Sequence, residues 1–147
     1  MKIYTSYWAQ VRNFPQNLVG LNTTIFPPKW RPLGFDKRKV LVLDCPPMKP
    51  GQACDGLCNG KCSPKHPQDC LFLKTYYEQL CNIDFDNFIN HLENLKNKIE
   101  LGENLTNIDF ALIVFEAPSN LCSERQMIHK WFKKNNYNIE EWKVPKW

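Results

Sequence analysis

The feature that most constrains the fold is a run of six apolar residues at 110–115. A run this short and this uniformly apolar is typical of a strand buried on both faces, as in a parallel sheet. Weaker strand patterns occur at 2–7, 19–26, 39–44 and 139–144. The third of these patterns is also nearly all apolar in its centre, so we expect both of its faces to be covered.

Apolar residues at helical spacing lie between the strand patterns, at 70–80, 85–101 and in a segment that ends near 134. Strands that alternate with helices predict an α/β fold with mostly parallel strands. We expect a single three-layer, Rossmann-like domain over residues 1–147, with a mainly parallel sheet of about five strands. A cysteine-rich loop at 45–70 is inserted after the third predicted strand.

Local signals predict where the helices begin and end. Asp84 is a good N-cap for the second helix, and Gly102 stands at the position where a glycine commonly follows a helix. Ser119 or Asn120 is expected to cap the last helix. That start would place Cys122 in the first helical turn.

Composition narrows the classes of function. The net charge of +4 tolerates an anionic ligand, but the basic residues are spread along the chain. They do not form the stripe that phosphate tracking needs, so nucleic acid is not the favoured partner. The first residues do not resemble a signal peptide, and no segment has the roughly 18 uninterrupted apolar residues of a membrane span. We therefore expect a cytoplasmic protein without a membrane contact.

Ligands bind outside the carboxyl ends of the strands in an open parallel sheet, so residues that follow strands are candidate site residues. Glu116 could transfer protons, Cys122 could act as a thiolate nucleophile, and Arg125 could bind a phosphate or carboxylate. These three are predicted to be catalytic. Structural alternatives are a buried Cys122 and a Glu116–Arg125 pair that holds the turn. Residues predicted to bind the ligand are Ser6, Tyr7, Lys29, Trp30, Asp44 and Ser123.

Several of these motifs resemble one family. The string FEAPSNLC at 115–122, followed by Arg125 and by Trp131-Phe132, resembles the family catalogued as domain of unknown function four-eight-eight. The opening residues IYTSY at 3–7 are similar to it, as is the pattern of Tyr77, Leu80, Asp84, Phe85 and Phe88. The resemblance covers most of the chain outside the cysteine-rich loop. It implies a small cytoplasmic α/β protein of bacteria or phages, with no general activity assigned.

The resemblance also implies which residues matter. The usual signature of that family after the glutamate is Cys-His-Arg, whereas here Cys122 is followed by Ser123, Glu124 and Arg125. Glu116, Cys122 and Arg125 carry over, but a catalytic histidine does not. The extra residue leaves the register of Arg125 open.

Five of the seven cysteines fall at 45–70, among prolines, glycines and lysines. The spacing Cys54-x3-Cys58-x3-Cys62-x7-Cys70 supplies four thiolates, as a closed structural zinc site requires. A cytoplasmic setting favours metal binding over disulfides. An iron–sulfur cluster is the less favoured alternative, because the spacing matches neither ferredoxin pattern. Cys45 and His66 are reserve ligands, and disulfides or free thiols are the remaining alternatives.

Three functions follow from these features, and the sequence does not decide whether the protein is an enzyme. The first is binding of a small anionic or nucleotide-like ligand at the strand ends, together with a structural zinc ion. The second is a protein-interaction module, such as a phage-encoded inhibitor, that uses the cysteine-rich loop and exposed tryptophans. The third is a nucleic-acid adaptor that uses the same loop and its lysines.

Overall fold

The structure, a computed structural model, describes residues 1–25, 40–51, 70–120 and 122–145. Within these residues the strands form one sheet: β1 (Ile3–Tyr7), β2 (Leu18–Asn22), β3 (Val42–Asp44), β4 (Asp109–Val114) and β5 (Glu140–Glu141). Their order is β3-β2-β4-β1-β5, and every neighbouring pair runs parallel. An α/β fold with a parallel sheet is confirmed, while its description as three-layer and Rossmann-like stays a prediction.

Helical segments connect the strands. Helices α1 (Leu71–Cys81) and α2 (Phe85–Glu103) lie between β3 and β4 in the chain, and α3 (Glu124–Lys134) lies between β4 and β5. A 3-10 segment (Trp8–Asn13) connects β1 to β2, and a shorter one (Pro46–Met48) follows β3.

The two faces of the sheet are covered by different segments. Side chains alternate along β4, so Phe110 and Leu112 point to one face while Ala111 and Ile113 point to the other. The first pair belongs to a core cluster that contains residues of all three helices. The second pair belongs to a cluster that contains Phe14 and residues of the 3-10 segment. We call these the helix face and the 3-10 face.

The connections define a topological switch point between β1 and β4. These two strands are neighbours, yet β1 continues across the 3-10 face toward β2, while β4 continues through α3 across the helix face toward β5. Neighbouring strands whose connections leave in opposite directions form the topological switch point of an open α/β sheet. Ligands of such sheets bind at this point, outside the carboxyl ends of the two strands.

Two of the predicted helix ends are wrong. Asp84 does cap α2, because its side chain accepts the Asn87 N–H at 3.1 Å. The helix then runs through Gly102 and ends before Asn104, which has a φ of 53°. Asparagine tolerates this left-handed conformation, so no glycine is needed there.

The last helix starts later than predicted. Ser123, not Ser119 or Asn120, is its N-cap, and the Ser123 hydroxyl accepts the Arg125 N–H at 3.3 Å. Asn120 instead stabilises a separate turn, because its N–H donates to the Ala117 carbonyl at 3.0 Å.

The third strand is an edge strand, and its two faces are each covered in part, because Leu43 packs against the helix-face cluster and Val42 against the 3-10-face cluster. β3 comes last in the strand order, and among the described residues it pairs only with β2. Val42 and Leu43 are accordingly half-buried, and Asp44 is exposed. An apolar run reports how much apolar surface a strand carries, but not its place in the sheet.

Close packing of β2 against β4 yields a stability prediction. A Cβ added at Gly20 would lie 2.6 Å from Ile113 Cδ1 and 3.0 Å from Val42 Cγ2. We expect Gly20→Val to lower the free energy of unfolding by about 1–3 kcal/mol, measured by urea denaturation. Ile113→Val removes the nearest atom, so it should cost less in the Gly20→Val chain than in the parent chain. Equal costs in both chains would contradict this packing.

Candidate functional site

The side chain of Arg125 lies across the carboxyl ends of three strands. It leaves the first turn of α3 and is 4% exposed. Its Nε donates to Glu141 Oε1 at 2.6 Å, and its Nη2 donates to Glu141 Oε2 at 3.4 Å and to the Glu116 carbonyl at 2.8 Å. The guanidinium carbon is 5.7 Å from the centre of the Tyr7 ring. Arg125 thereby connects the end of β5 to the residues that follow β4, beside the end of β1.

One nitrogen of this guanidinium has no partner. An arginine carries five N–H donors, and Arg125 uses those on Nε and Nη2. Its Nη1 is buried without a hydrogen-bond partner in the described part of the chain. Leaving a buried donor unpaired costs about 1–3 kcal/mol, and more for a charged group, so a partner from outside would be stabilising. Nη1 is therefore an open donor near the carboxyl ends of the strands.

Two carboxyl groups lie near the start of α3. Glu116 Oε2 accepts the Ser123 hydroxyl at 2.9 Å, and Glu124 is the first residue of the helix. Burial, followed by the nearby charge of Glu116, raises the pKa of Glu124 to about 7, and the charge of Arg125 only partly offsets this. A carboxyl group with such a pKa can release or take up a proton near neutral pH.

A second set of hydrogen bonds, through Thr5 and His129, holds the Glu141 side chain that pairs with Arg125. Thr5 Oγ1 donates to Glu141 Oε1 at 2.8 Å and contacts His129 Nε2 at 2.7 Å. The single Thr5 proton is used on Glu141, so His129 must donate from Nε2. Burial, and then the charge of Arg125, lower the pKa of His129, which favours the neutral ring. These contacts hold the Glu141 carboxylate in the position that Arg125 needs.

The structure brings part of the predicted site together. Glu116, Ser123 and Arg125 contact one another, and Tyr7 lies beside the guanidinium. Ser6 lies at the same rim, because all strands are parallel. Its side chain, however, points to the 3-10 face, since it alternates with Thr5 and Tyr7 along β1. The Ser6 hydroxyl is fully buried, and among the described residues it has no partner.

Asp44 lies apart from this group, at the end of the edge strand β3. It accepts hydrogen bonds from Asn22 at 3.1 Å and from Lys49 at 3.0 Å. These bonds, that of Lys49 first, lower the pKa of Asp44. Its contacts tie the end of β3 to its neighbours, and ligand binding by Asp44 stays a prediction.

Cys122 does not lie in the first turn of a helix, contrary to the prediction. It precedes the N-cap Ser123 and is half-buried against a cluster of Cys70, Phe72 and Leu73. The helix dipole therefore gives no argument for a low thiol pKa at Cys122. Its role as a nucleophile stays a prediction.

Several predicted residues lie outside the described ones, namely Lys29, Trp30, Cys54, Cys58 and Cys62. Of the four predicted zinc ligands, only Cys70 is described, and it is buried at the start of α1. The described residues on their own contain no group of three metal-ligating side chains. They also contain no helix that is long and apolar enough to cross a membrane.

Four residues of the site were not in the predicted set: Thr5, Glu124, His129 and Glu141. Glu124 and Glu141 could have been predicted from the sequence, because Glu124 directly precedes Arg125 and Glu141 ends the last strand. Thr5 differs from the predicted Ser6 only by the side of β1 to which it points. His129 follows Arg125 by one helical turn, which places both side chains on one side of α3.

No family model, curated protein or solved structure matches this chain. The resemblance to the domain-of-unknown-function family therefore rests on the sequence motifs alone. The site is interpreted below from its own geometry.

The buried ion pair yields a prediction with a control on the neighbouring residue. Glu141→Ala would leave the charge of Arg125 buried and unpaired, which we expect to lower the free energy of unfolding by about 3–5 kcal/mol. Glu140→Ala removes the same group from an exposed position and should change stability by less than about 0.5 kcal/mol. Urea denaturation of both variants measures this difference. Equal losses would show that the pair does not hold β5 in place.

Proposed function

We propose that the protein binds a small anionic or nucleotide-like ligand in the crevice between β1 and β4. The observation that carries the proposal is the buried, unpartnered Nη1 of Arg125. Its N–H groups can donate to oxygens of a phosphate or carboxylate. Because Glu141 and the Glu116 carbonyl already fix the guanidinium, little side-chain freedom is lost when the ligand binds.

The surroundings of Arg125 support a ligand with a polar and a flat part. The ring of Tyr7 is half-buried beside the guanidinium and provides a surface on which a base or sugar ring can pack. Glu141 largely balances the charge of Arg125, so the arginine acts through directed hydrogen bonds more than through long-range attraction. We therefore expect selective but modest affinity for anions.

Adenosine monophosphate and sulfate are suitable probes of this site. We expect Arg125→Lys to weaken binding of adenosine monophosphate by about tenfold or more, because lysine keeps the charge but cannot reproduce the planar set of donors. Arg12→Lys makes the same change at an exposed arginine and should have no effect. Nuclear magnetic resonance titrations give the affinities, and circular dichroism verifies that each variant is folded.

Two outcomes would contradict this proposal. One is that neither probe binds the parent chain at millimolar concentration. The other is that Arg125→Lys, while folded, binds adenosine monophosphate as tightly as the parent chain does. The protein-interaction and nucleic-acid alternatives depend on the cysteine-rich loop, most of which lies outside the described residues.

We also propose that Cys54, Cys58, Cys62 and Cys70 hold a structural zinc ion. The support is their spacing and the burial of Cys70, since a structural ligand is usually shielded from solvent. Four thiolates would leave no open position, so the ion would stabilise the fold without taking part in a reaction.

Metal analysis tests the zinc proposal. We expect the reduced protein to contain about one zinc ion per chain and to lose thermal stability when a strong chelator removes it. Cys70→Ser should lower the zinc content, whereas Cys81→Ser, at an exposed cysteine outside the predicted set, should not. A parent chain without zinc after purification in zinc-containing buffer would overturn the proposal.

A further inference from the structure

The 3-10 segment after β1 places three polar side chains in one row. Tyr7 immediately precedes this segment, which runs from Trp8 to Asn13. A 3-10 helix has three residues per turn, so side chains three residues apart lie directly above one another. Tyr7, Gln10 and Asn13 are spaced in this way, and all three are half-buried. The row therefore begins at the end of β1, beside Arg125.

Two hydrogen bonds connect the row. The Asn13 amide donates from Nδ2 to Gln10 Oε1 at 3.0 Å, and the Gln10 amide donates from Nε2 to the Tyr7 hydroxyl oxygen at 3.1 Å. A carboxamide carries its acceptor on oxygen and its donors on nitrogen. Because Gln10 Oε1 accepts from Asn13, Gln10 presents a donor to Tyr7. The two bonds therefore have one direction, from Asn13 through Gln10 to Tyr7.

This direction leaves the proton of the Tyr7 hydroxyl unused. A phenolic hydroxyl has one proton to donate, and its oxygen also accepts hydrogen bonds. The Tyr7 oxygen accepts from Gln10, and within the described part of the chain its proton has no acceptor. The Tyr7 hydroxyl is therefore oriented as a donor toward an acceptor other than Gln10.

The same rim of the sheet holds a second open donor. Arg125 Nη1 is buried without a hydrogen-bond partner among the described residues, on a side chain that is 4% exposed. The guanidinium carbon of Arg125 lies 5.7 Å from the centre of the Tyr7 ring, so the two donors belong to neighbouring groups. An unpaired buried donor is costly, so two neighbouring donors without acceptors favour a ligand that supplies the acceptors.

We propose that the ligand accepts two hydrogen bonds from this rim, one from Arg125 Nη1 and one from the Tyr7 hydroxyl. The inference rests on the proposed function, and it narrows the ligand to an oxyanion with more than one acceptor, such as a phosphate monoester. Tyr7 then has two roles, because its ring packs on the ligand while its hydroxyl donates to it. Gln10 and Asn13 are positioning residues, which direct the Tyr7 proton to the ligand.

Tyr7→Phe tests the second donor, with adenosine monophosphate as the probe. The substitution removes the hydroxyl but keeps the ring, so packing of the base or sugar on the ring is retained. We expect the affinity to fall by about two- to tenfold, as for the loss of one uncharged hydrogen bond. Tyr4→Phe makes the same change at another half-buried tyrosine of β1 and should have no effect.

Gln10→Glu tests the direction of the row. At neutral pH a carboxylate only accepts hydrogen bonds, so Tyr7 would turn its proton to the carboxylate and away from the ligand. The affinity for adenosine monophosphate should then fall at least as much as in Tyr7→Phe.

The added negative charge of Gln10→Glu also repels an anion, and a double variant separates the two effects. When Gln10→Glu is made in the Tyr7→Phe chain, the hydroxyl is already absent and only the charge effect remains. We therefore expect a clearly smaller loss of affinity in the Tyr7→Phe chain than in the parent chain. Nuclear magnetic resonance titrations give the affinities, and circular dichroism verifies that each variant is folded.

The outcomes separate this inference from the proposed function. If adenosine monophosphate does not bind the parent chain at millimolar concentration, the proposed function fails, and the inference fails with it. If Arg125→Lys weakens binding but folded Tyr7→Phe binds as tightly as the parent chain, only the inference is overturned. Equal losses from Gln10→Glu in both chains would show that Gln10 does not direct the Tyr7 proton, which overturns the positioning role.

Discussion

The site depends on one interaction, the buried ion pair between Arg125 and Glu141. β5 consists of two residues and pairs with β1 only through Tyr4–Glu140 and Thr5–Glu141. The ion pair joins this short strand to the start of α3, on the side where all the strands end. Each charge is shielded from water, so either one alone would be costly. The pair therefore fixes the position of the guanidinium beside the carboxyl ends of β1 and β4.

The same pair determines what the other groups of the site can do. Glu141 pairs with Arg125, so little of the arginine charge remains to keep Glu124 ionised. Burial then dominates, and the pKa of Glu124 rises to about 7. Arg125 contributes donors with a fixed direction, while Glu124 contributes a carboxyl group that can gain or lose a proton near neutral pH. The buried ion pair therefore affects both the orientation of the guanidinium and the pKa of Glu124.

The sequence was sufficient to predict the parallel sheet and the position of Glu116 and Arg125 at its carboxyl rim. Both follow from periodic patterns and from the rule that parallel strands end at one edge. The sequence was insufficient where the helix cap or the partner of a side chain depends on contacts between residues that are distant in the chain. Ser119 and Ser123 are equally good caps locally, and the structure has a separate turn at Asn120 and the cap at Ser123. Likewise, Glu141 gains its role through Arg125, which lies 16 residues away.

The start of α3 at Glu124 also determines the chemistry beside Arg125. A solvated glutamate ordinarily titrates near pH 4.3. Burial, followed by the nearby charge of Glu116, raises the pKa of Glu124 to about 7. Because the helix starts at this residue, a carboxyl group that can exchange a proton near neutral pH directly precedes Arg125 in the chain.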